Sequence, residues 1–558
     1  MREYMSTLKE TSSGPDYPAC FALLLIFVCA AAVLLGPIVN GHDTYVSFSH
    51  IEAWVAALKA GDLVSIWTPV DANGFGSPMP FFYHKLFNLI AAAFTIATGD
   101  IVTGFRLGVL LFAAIMFYGA YQCAARLGAD RTGSLVIAIA CVLSPYSLIC
   151  VIERGAVAEY SATALVPLAL AFVLDLFMNK SRTAAALRLF AVLMLMLLAH
   201  LVVFVAATGL LILCGFYLLV RSTRAGVALL VASGGALLIF LVLVYVPFTV
   251  WSAWFCPAQA TLHGLPADNA VPLIRIFSPK PGSWFAWPIL TLLAGLALQL
   301  RSRRHRLAAV VLTTGIAAFV LTLFMTRLTA PVWRLSAMFD FVQFPWRLLS
   351  VSTPLMFVAF AGMIEQLRPT TKRIAQIGLL TITVIHAVGK IDSLQQIRTA
   401  ISPAELRHET PYTGQGPDAG GEFFPARYQQ QLSATPNILA IKAASILPAP
   451  RELLVESAGG CSTDNVPRVP YFRKLTINAR CESPGVVRVN QFATPFLDVT
   501  AVSSHGVVSQ PVTGTPFFEL PLQKGIWTIH VRQRTYIELV RMAWEKKLTH
   551  DDARLASY

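Results

Sequence analysis

The sequence predicts a polytopic α-helical membrane protein of about eleven spanning helices, followed by a β-rich extracytoplasmic domain. Three observations carry this. Of the 558 residues 56% are hydrophobic and 13% charged, whereas a soluble domain carries about 25% charged residues. Uninterrupted apolar stretches, such as Cys20 to Val39, Gly226 to Val250 and Leu307 to Met325, reach the roughly 17–25 residues that cross a ~30 Å hydrocarbon layer. After Ile391 the composition shifts to Pro, Gly, Thr and Gln, with short alternating runs.

The first apolar stretch follows Met1 to Tyr17, a polar segment too mixed in charge for a typical signal peptide and without an obvious small-x-small cleavage site. It reads as a retained anchor. The net charge of +13 comes from short clusters between apolar stretches. These are Arg2 and Lys9; Arg126 and Arg131; Lys180, Arg182 and Arg188; Arg221 and Arg224; Arg301, Arg303, Arg304 and Arg306; and Arg368, Lys372 and Arg373. Membrane topology explains that pattern without a nucleic-acid partner, because basic residues accumulate in cytoplasmic loops.

One topology places every cluster inside. Its spans are 18–39, 106–126, 132–152, 157–178, a tight hairpin between Arg188 and Arg221 turning outside at His200 to Phe204, then 226–250, 284–300, 307–325, 348–366 and 374–391. The external loop 40–105 holds interfacial helices, and 81–98 dips into the membrane without crossing. Counted as a span, 81–98 would put Arg126 and Arg131 outside. The spans form a membrane domain over 1–391, and 392–558 is left in the periplasm, outside a bacterial inner membrane.

In that outer domain Lys474 to Ala479, Val486 to Asn490 and Trp527 to Arg532 alternate with period two, which reads as a β-sandwich-like module. Tyr536 to Leu548 reads as a helix. Cys461 and Cys481 are its two cysteines, and an oxidising compartment favours a disulfide between them. The other seven cysteines show no metal-ligand spacing.

Ionisable groups at the outer ends of spans are the informative residues, since charge near hydrocarbon is costly unless paired or used. Three segments carry them. The first is Gly41-His42-Asp43-Thr44 with the following loop, which holds His50, Glu52, Trp67, the Asp71 to Gly76 turn and Pro78 to His84. The second runs from Glu153 and Arg154 to Glu159, and the third from Thr326 to Arg347, with Arg327, Arg334, Asp340 and Phe344-Pro345-Trp346-Arg347. Carboxylates that accept a proton, beside arginines whose planar forks suit phosphate oxygens, match glycosyl transfer from a lipid-linked phosphate sugar. The Gly74-x-Gly76 pair is no nucleotide fingerprint, since no βαβ unit surrounds it.

On these residues the chain resembles the bacterial 6-pyruvoyl-tetrahydropterin synthase-related membrane proteins, grouped with the C-type (GT-C) membrane glycosyltransferase superfamily. The resemblance runs through His42-Asp43, Gly74-Phe75-Gly76-Ser77-Pro78, Phe82-Tyr83, Arg154-Gly155-Ala156 with Glu159, His200-Leu201 and Phe344 to Leu349. It implies an acidic residue in the first external loop as catalytic base or metal ligand, matched by Asp43. A second acidic position is matched by Glu159, with Glu153 as the alternative. The pterin name does not describe the chemistry, because no zinc-binding histidine set is present. No Trp-Trp-Asp-type acceptor motif marks the C-terminal domain, so protein N-glycosylation is not expected.

The expected roles are Asp43 and Glu159 as catalytic carboxylates, and His42, Arg154, His200, Arg334, Trp346 and Arg347 as substrate contacts. Each has a plainer reading. Asp43 is also a common helix start, Glu159 and Arg154 also an ion pair, and Arg347 also an interfacial anchor. The sequence requires no cofactor and admits a divalent metal. The implied partners are a polyprenyl-phosphate sugar donor, an envelope glycan or lipid acceptor, and membrane lipid. The competing functions are a transporter or flippase for a lipid-linked sugar and a scaffold for envelope polysaccharide assembly.

Overall fold

The computed structural model describes residues 43–177, 182–254, 265–274, 305–335, 342–397, 454–467, 469–512 and 517–548, with isolated positions at 31, 35, 36, 38, 41 and 515. The expected spans 18–39 and 284–300, together with His42 and Asp340, lie outside the described residues.

The helices are α1 (Thr44–Lys59), α2 (Leu86–Thr98), α3 (Ile101–Arg126), α4 (Arg131–Val142), α5 (Val157–Phe177), α6 (Arg182–Ala199), α7 (Leu201–Arg221) and α8 (Thr223–Ile239). After them come α9 (His305–Phe324), α10 (Leu349–Ile364) and α11 (Pro369–Ile397). The boundary expected at 391 therefore falls inside α11. Beyond α4 the chain continues through a short helix and a π-turn to Glu153, and beyond α8 through a π-turn at Phe240–Tyr245 to Ser252. Among the described residues seven helices are long and apolar enough to cross a membrane: 101–126, 131–153, 157–177, 182–199, 201–220, 223–252 and 345–364. The chain is a polytopic membrane protein.

One feature of the bundle differs in detail from the sequence reading, and another, the non-crossing helix near 81–98, agrees with it. The hairpin at His200 has full-length arms of 18 and 21 residues, because α6 starts at Arg182 and carries Arg188 on its exposed side. A long arginine side chain reaches polar surroundings from within a span, so its charge does not mark the helix end. Helix α2, at 13 residues, is about 20 Å long and too short for a ~30 Å layer. It lies antiparallel beside the first half of α3, with Phe87 stacked on Phe112 and Gly104 packed against Ala91 and Thr95. The left-handed Gly99 closes α2, and the Asp100 carboxylate accepts the Thr103 N–H to start α3.

The bundle has two chemically distinct ends. At one, Arg126 pairs with Asp175 through two 2.8 Å hydrogen bonds. Lys372 bridges Asp130 and Glu365 at 2.9 and 2.8 Å there. The other end carries Arg154, Glu159 and Arg347.

The C-terminal domain is one connected antiparallel sheet rather than two facing sheets. Its strands are β1 (Val455–Thr463), β2 (Lys474–Phe492), β3 (Leu497–Ser503), β4 (Val508–Ser509), β5 (Phe517–Leu522) and β6 (Gly525–Gln533), ordered β1-β2-β6-β3-β4 with β5 on β2. The 19-residue β2 supports three partners: its first half pairs β6 and its second half β5, while β1 runs along both. Alternate residues Ile477, Ala479, Val487, Val489, Ile529 and Val531 are buried, as the period-two pattern predicts. Cys461 of β1 and Cys481 of β2 are joined as a disulfide.

Helix α12 (Tyr536–Leu548) docks this domain on the bundle. A π-turn leaves helical carbonyls without their usual donors. Here the Trp544 indole donates to the Val242 carbonyl (3.0 Å) and the Tyr536 hydroxyl to that of Leu243 (2.8 Å). On the loop side Gln491 is fully engaged. Its Oε1 accepts from the Trp67 indole (2.8 Å), while its Nε2 donates to the carbonyls of Gly74 (2.8 Å) and Pro69 (3.2 Å).

Under this contact Asp71 is completely buried, with its Oδ2 accepting from Ser77 Oγ at 2.6 Å and its Oδ1 without a hydrogen bond. Burial pushes its carboxyl up to about 8 from an ordinary 3.8, against the Ser77 hydrogen bond. A carboxyl held protonated by the fold contributes stability that is fully present below about pH 4 and lost as pH rises through about 8. Asp71→Asn is therefore expected to raise thermal stability at pH 8 and to flatten its decline between pH 5 and 8. A decline as steep in the variant as in the wild type would refute this.

Candidate functional site

The cluster at the Glu159 end is assembled from four segments. Glu159 sits in the first turn of α5, where the helix dipole favours a negative charge. Its side chain is 1% exposed, accepts three hydrogen bonds and faces a second guanidinium. Oε1 accepts from the Tyr146 hydroxyl and from Ser350 Oγ (3.0 Å), and Oε2 accepts from Arg154 Nη1 (2.9 Å) with Arg347 Nε at 3.7 Å. A carboxylate offers about four lone-pair positions, and all are faced.

Arg154 and Arg347 are 14% and 15% exposed, so each is largely buried with a small part of its side chain open. One carboxylate serves two guanidinium groups, which leaves a net charge of +1 on the three side chains. Arg347 precedes α10 in the turn Pro345–Leu348. Its Nη1 donates to Gln343 Oε1 (3.1 Å) and to the Val342 carbonyl (3.3 Å), and its Nε has no hydrogen bond.

Asp43 reaches this cluster through the backbone. Its N–H donates to the Arg154 carbonyl at 2.7 Å, and Ser47 Oγ donates to the Gly155 carbonyl at 2.9 Å. Gly155 has φ +67°, and a Cβ there would stand 2.5 Å from Thr44 Oγ1. The sequence needs glycine at 155 for the start of α1 to approach so closely.

Beside the arginines stands a row of histidines, His50 and His200 buried and His84 half-buried. The rings of His84 and His200 are 4.3 Å apart, and His50 packs edge-on against Tyr83 at 4.4 Å. His200 Nδ1 and His50 Nε2 are buried without hydrogen bonds. Burial, then the Arg347 charge, holds His84 down to about 3, against the opposing pull of Glu159. His50 is likewise lowered to about 3 by burial and then by His84. Both imidazoles are neutral at physiological pH.

The structure thus gathers Asp43, Arg154, Glu159, His200 and Arg347, and it leaves Arg334 apart. Arg334 is 65% exposed and faces Asp268 at 3.6 Å. Trp346 is half-buried, with one face stacked on Phe344 at 4.6 Å. Tyr146, Ser350 and Gln343 were not legible as site residues, and His84 was visible only as the end of a loop run. Ser350 had one signal: three positions after Arg347 at a helix start, it shares that residue's face.

The donor set does not fit a metal ion. Glu159 has its lone pairs faced by other donors, and among the described residues no three His, Cys, Asp or Glu side chains are grouped to hold one.

A family model for the 6-pyruvoyl-tetrahydropterin synthase related domain, a membrane protein family, matches residues 80–396. No curated protein matches significantly. Two solved structures are similar, both of ArnT from Cupriavidus metallidurans. The form bound to undecaprenyl phosphate shows 16% identity, a TM-score of 0.43 and coverage of 76% of this chain and 77% of that one. The apo form shows 14% identity, a TM-score of 0.42 and coverage of 77% and 74%. Likeness at that level carries no functional argument.

Proposed function

This chain belongs to the 6-pyruvoyl-tetrahydropterin synthase related family of membrane proteins, and we propose that it is a membrane glycosyltransferase. It moves a sugar from a polyprenyl-phosphate-linked donor to a cell-envelope glycan or lipid acceptor. The observation that carries this reading is the pair of arginines sharing the single carboxylate of Glu159. Glu159 takes one nitrogen of Arg154 and none of Arg347 in a hydrogen bond, which leaves guanidinium donors for an incoming phosphate.

In the reaction the bond between the anomeric carbon and the phosphate oxygen breaks, and its electron pair stays on the phosphate. That group gains negative charge as it leaves, and preorganised guanidinium groups stabilise the developing charge. The acceptor oxygen forms the new bond to the anomeric carbon and gives its proton to Asp43, the base. Glu159, expected as a second catalytic carboxylate, becomes the residue that positions both arginines, since three hydrogen bonds and the Arg347 guanidinium surround its oxygens. Arg334 drops out of the substrate contacts. With Arg126, Arg131 and Lys372 at the far end, the positive-inside rule puts that end in the cytoplasm and the Glu159 end outside.

The test is transfer of radiolabelled sugar from a panel of synthetic polyprenyl-phosphate donors to envelope extracts by purified protein. Transfer from at least one donor is expected. Binding of donors without transfer to any acceptor fraction would instead identify a transporter.

A further inference from the structure

Among the described residues one non-glycine residue has a positive φ, Gln343 at 54°. The other positive values all belong to glycines. An unbranched L-residue in the left-handed region is strained, and strain that a sequence retains at a functional site calls for a reason in the surroundings.

The surroundings supply one. Gln343 is buried, and its turn sends two oxygens in one direction and one in the other. Its own Oε1 and the Val342 carbonyl both accept from Arg347 Nη1 (3.1 and 3.3 Å), while its carbonyl accepts from Asn269 Nδ2 (3.0 Å). The Phe344 ring lies 5.2 Å from the Arg347 guanidinium carbon and covers one face. One corner of the guanidinium is therefore fixed. The opposite edge begins at Nε, which has no hydrogen bond and stands 3.7 Å from Glu159. With Nε buried against Glu159, Nη2 is the guanidinium nitrogen left to donate to an oxyanion oxygen. Glycine would suit the backbone better, but it has no Oε1.

We infer that Gln343 is a positioning residue, held in a strained turn so that its amide fixes Arg347 with Nε turned to Glu159 and Nη2 left to meet a phosphate oxyanion. The inference rests on the reading of Arg347 as a phosphate contact and adds the residue that orients it.

The test compares wild type, Gln343→Gly and Gln343→Asn in detergent by phenylglyoxal labelling, read residue by residue in the mass spectrometer. Gln343→Gly relieves the strain and removes the amide. Arg347 is expected to label at least three-fold faster in it, with Arg154 labelling and melting temperature unchanged. Gln343→Asn, which tolerates the left-handed region and keeps an amide, is expected to fall between. Equal Arg347 labelling in Gln343→Gly and wild type would overturn the inference, as would equal acceleration at Arg154, which marks general loosening. A second arm adds farnesyl phosphate, expected to protect wild-type Arg347 and to need several-fold higher concentration in Gln343→Gly. Faster labelling in the variant with no protection of the wild type would uphold the positioning role and sink the phosphate reading instead.

Discussion

Glu159→Gln is expected to destabilise the folded protein by about 3–5 kcal/mol, the range found when one partner of a buried ion pair is removed. The substitution keeps the shape and deletes the charge. Arg154 and Arg347 then face each other across a neutral amide in a place where Glu159 was 1% exposed. Two further donors aggravate the loss, because the Tyr146 hydroxyl and Ser350 Oγ both point at Oε1, and an amide oriented to accept from them turns its own N–H donors toward the guanidinium groups. A large fall in melting temperature in detergent, partly restored when Arg154→Leu is added, is the expected signature. The partial rescue separates mutual repulsion of the arginines from simple loss of packing. A Glu159→Gln protein as stable as wild type would mean that the cluster is solvated and that the site reading built on it is wrong.

The bundle was legible because its signals are local. Apolar length fixes a span, period two fixes a half-buried strand, and both α12 and the strand runs around Ile477, Val487 and Ile529 lie where those patterns put them. What failed to show in the sequence depends on distant partners. Arg188 looked like a helix boundary but snorkels from inside α6. The runs Lys474 to Ala479 and Val486 to Asn490 read as parts of a sandwich, yet both lie on one 19-residue strand that pairs with three partners in a single sheet. In the site, Asp43, Arg154 and Arg347 could be picked out because charge beside an apolar stretch is conspicuous. Tyr146, Ser350 and Gln343 could not, since a hydroxyl or amide near a helix end has many uses, and only the fold shows which of them face Glu159 or Arg347. Glu159 itself was visible, but its surroundings were not. Whether a carboxylate accepts a proton or holds arginines depends on how many donors surround it, and those donors are 13, 5, 188 and 191 residues away in the chain.

Asp43→Asn is expected to lower the rate of sugar transfer by about 10²–10⁴, the usual contribution of a positioned general base, while leaving the fold and donor binding intact. The reason lies in how Asp43 is held. Its backbone N–H, not its carboxylate, makes the 2.7 Å bond to the Arg154 carbonyl, and the helix that follows has no side-chain cap from it. An amide in place of the carboxylate thus keeps every backbone contact of the 43–47 segment with the 153–155 loop and removes the proton acceptor. The two carboxylates of the site should separate cleanly. Loss of Glu159 reads out in stability, and loss of Asp43 reads out in the chemical step, with farnesyl phosphate protecting Arg347 from phenylglyoxal in Asp43→Asn as well as it does in wild type. Transfer by Asp43→Asn at the wild-type rate would remove it as the base. His84 would be a poor replacement, since the burial and the Arg347 charge that hold it down to about 3 also oppose its taking up a proton.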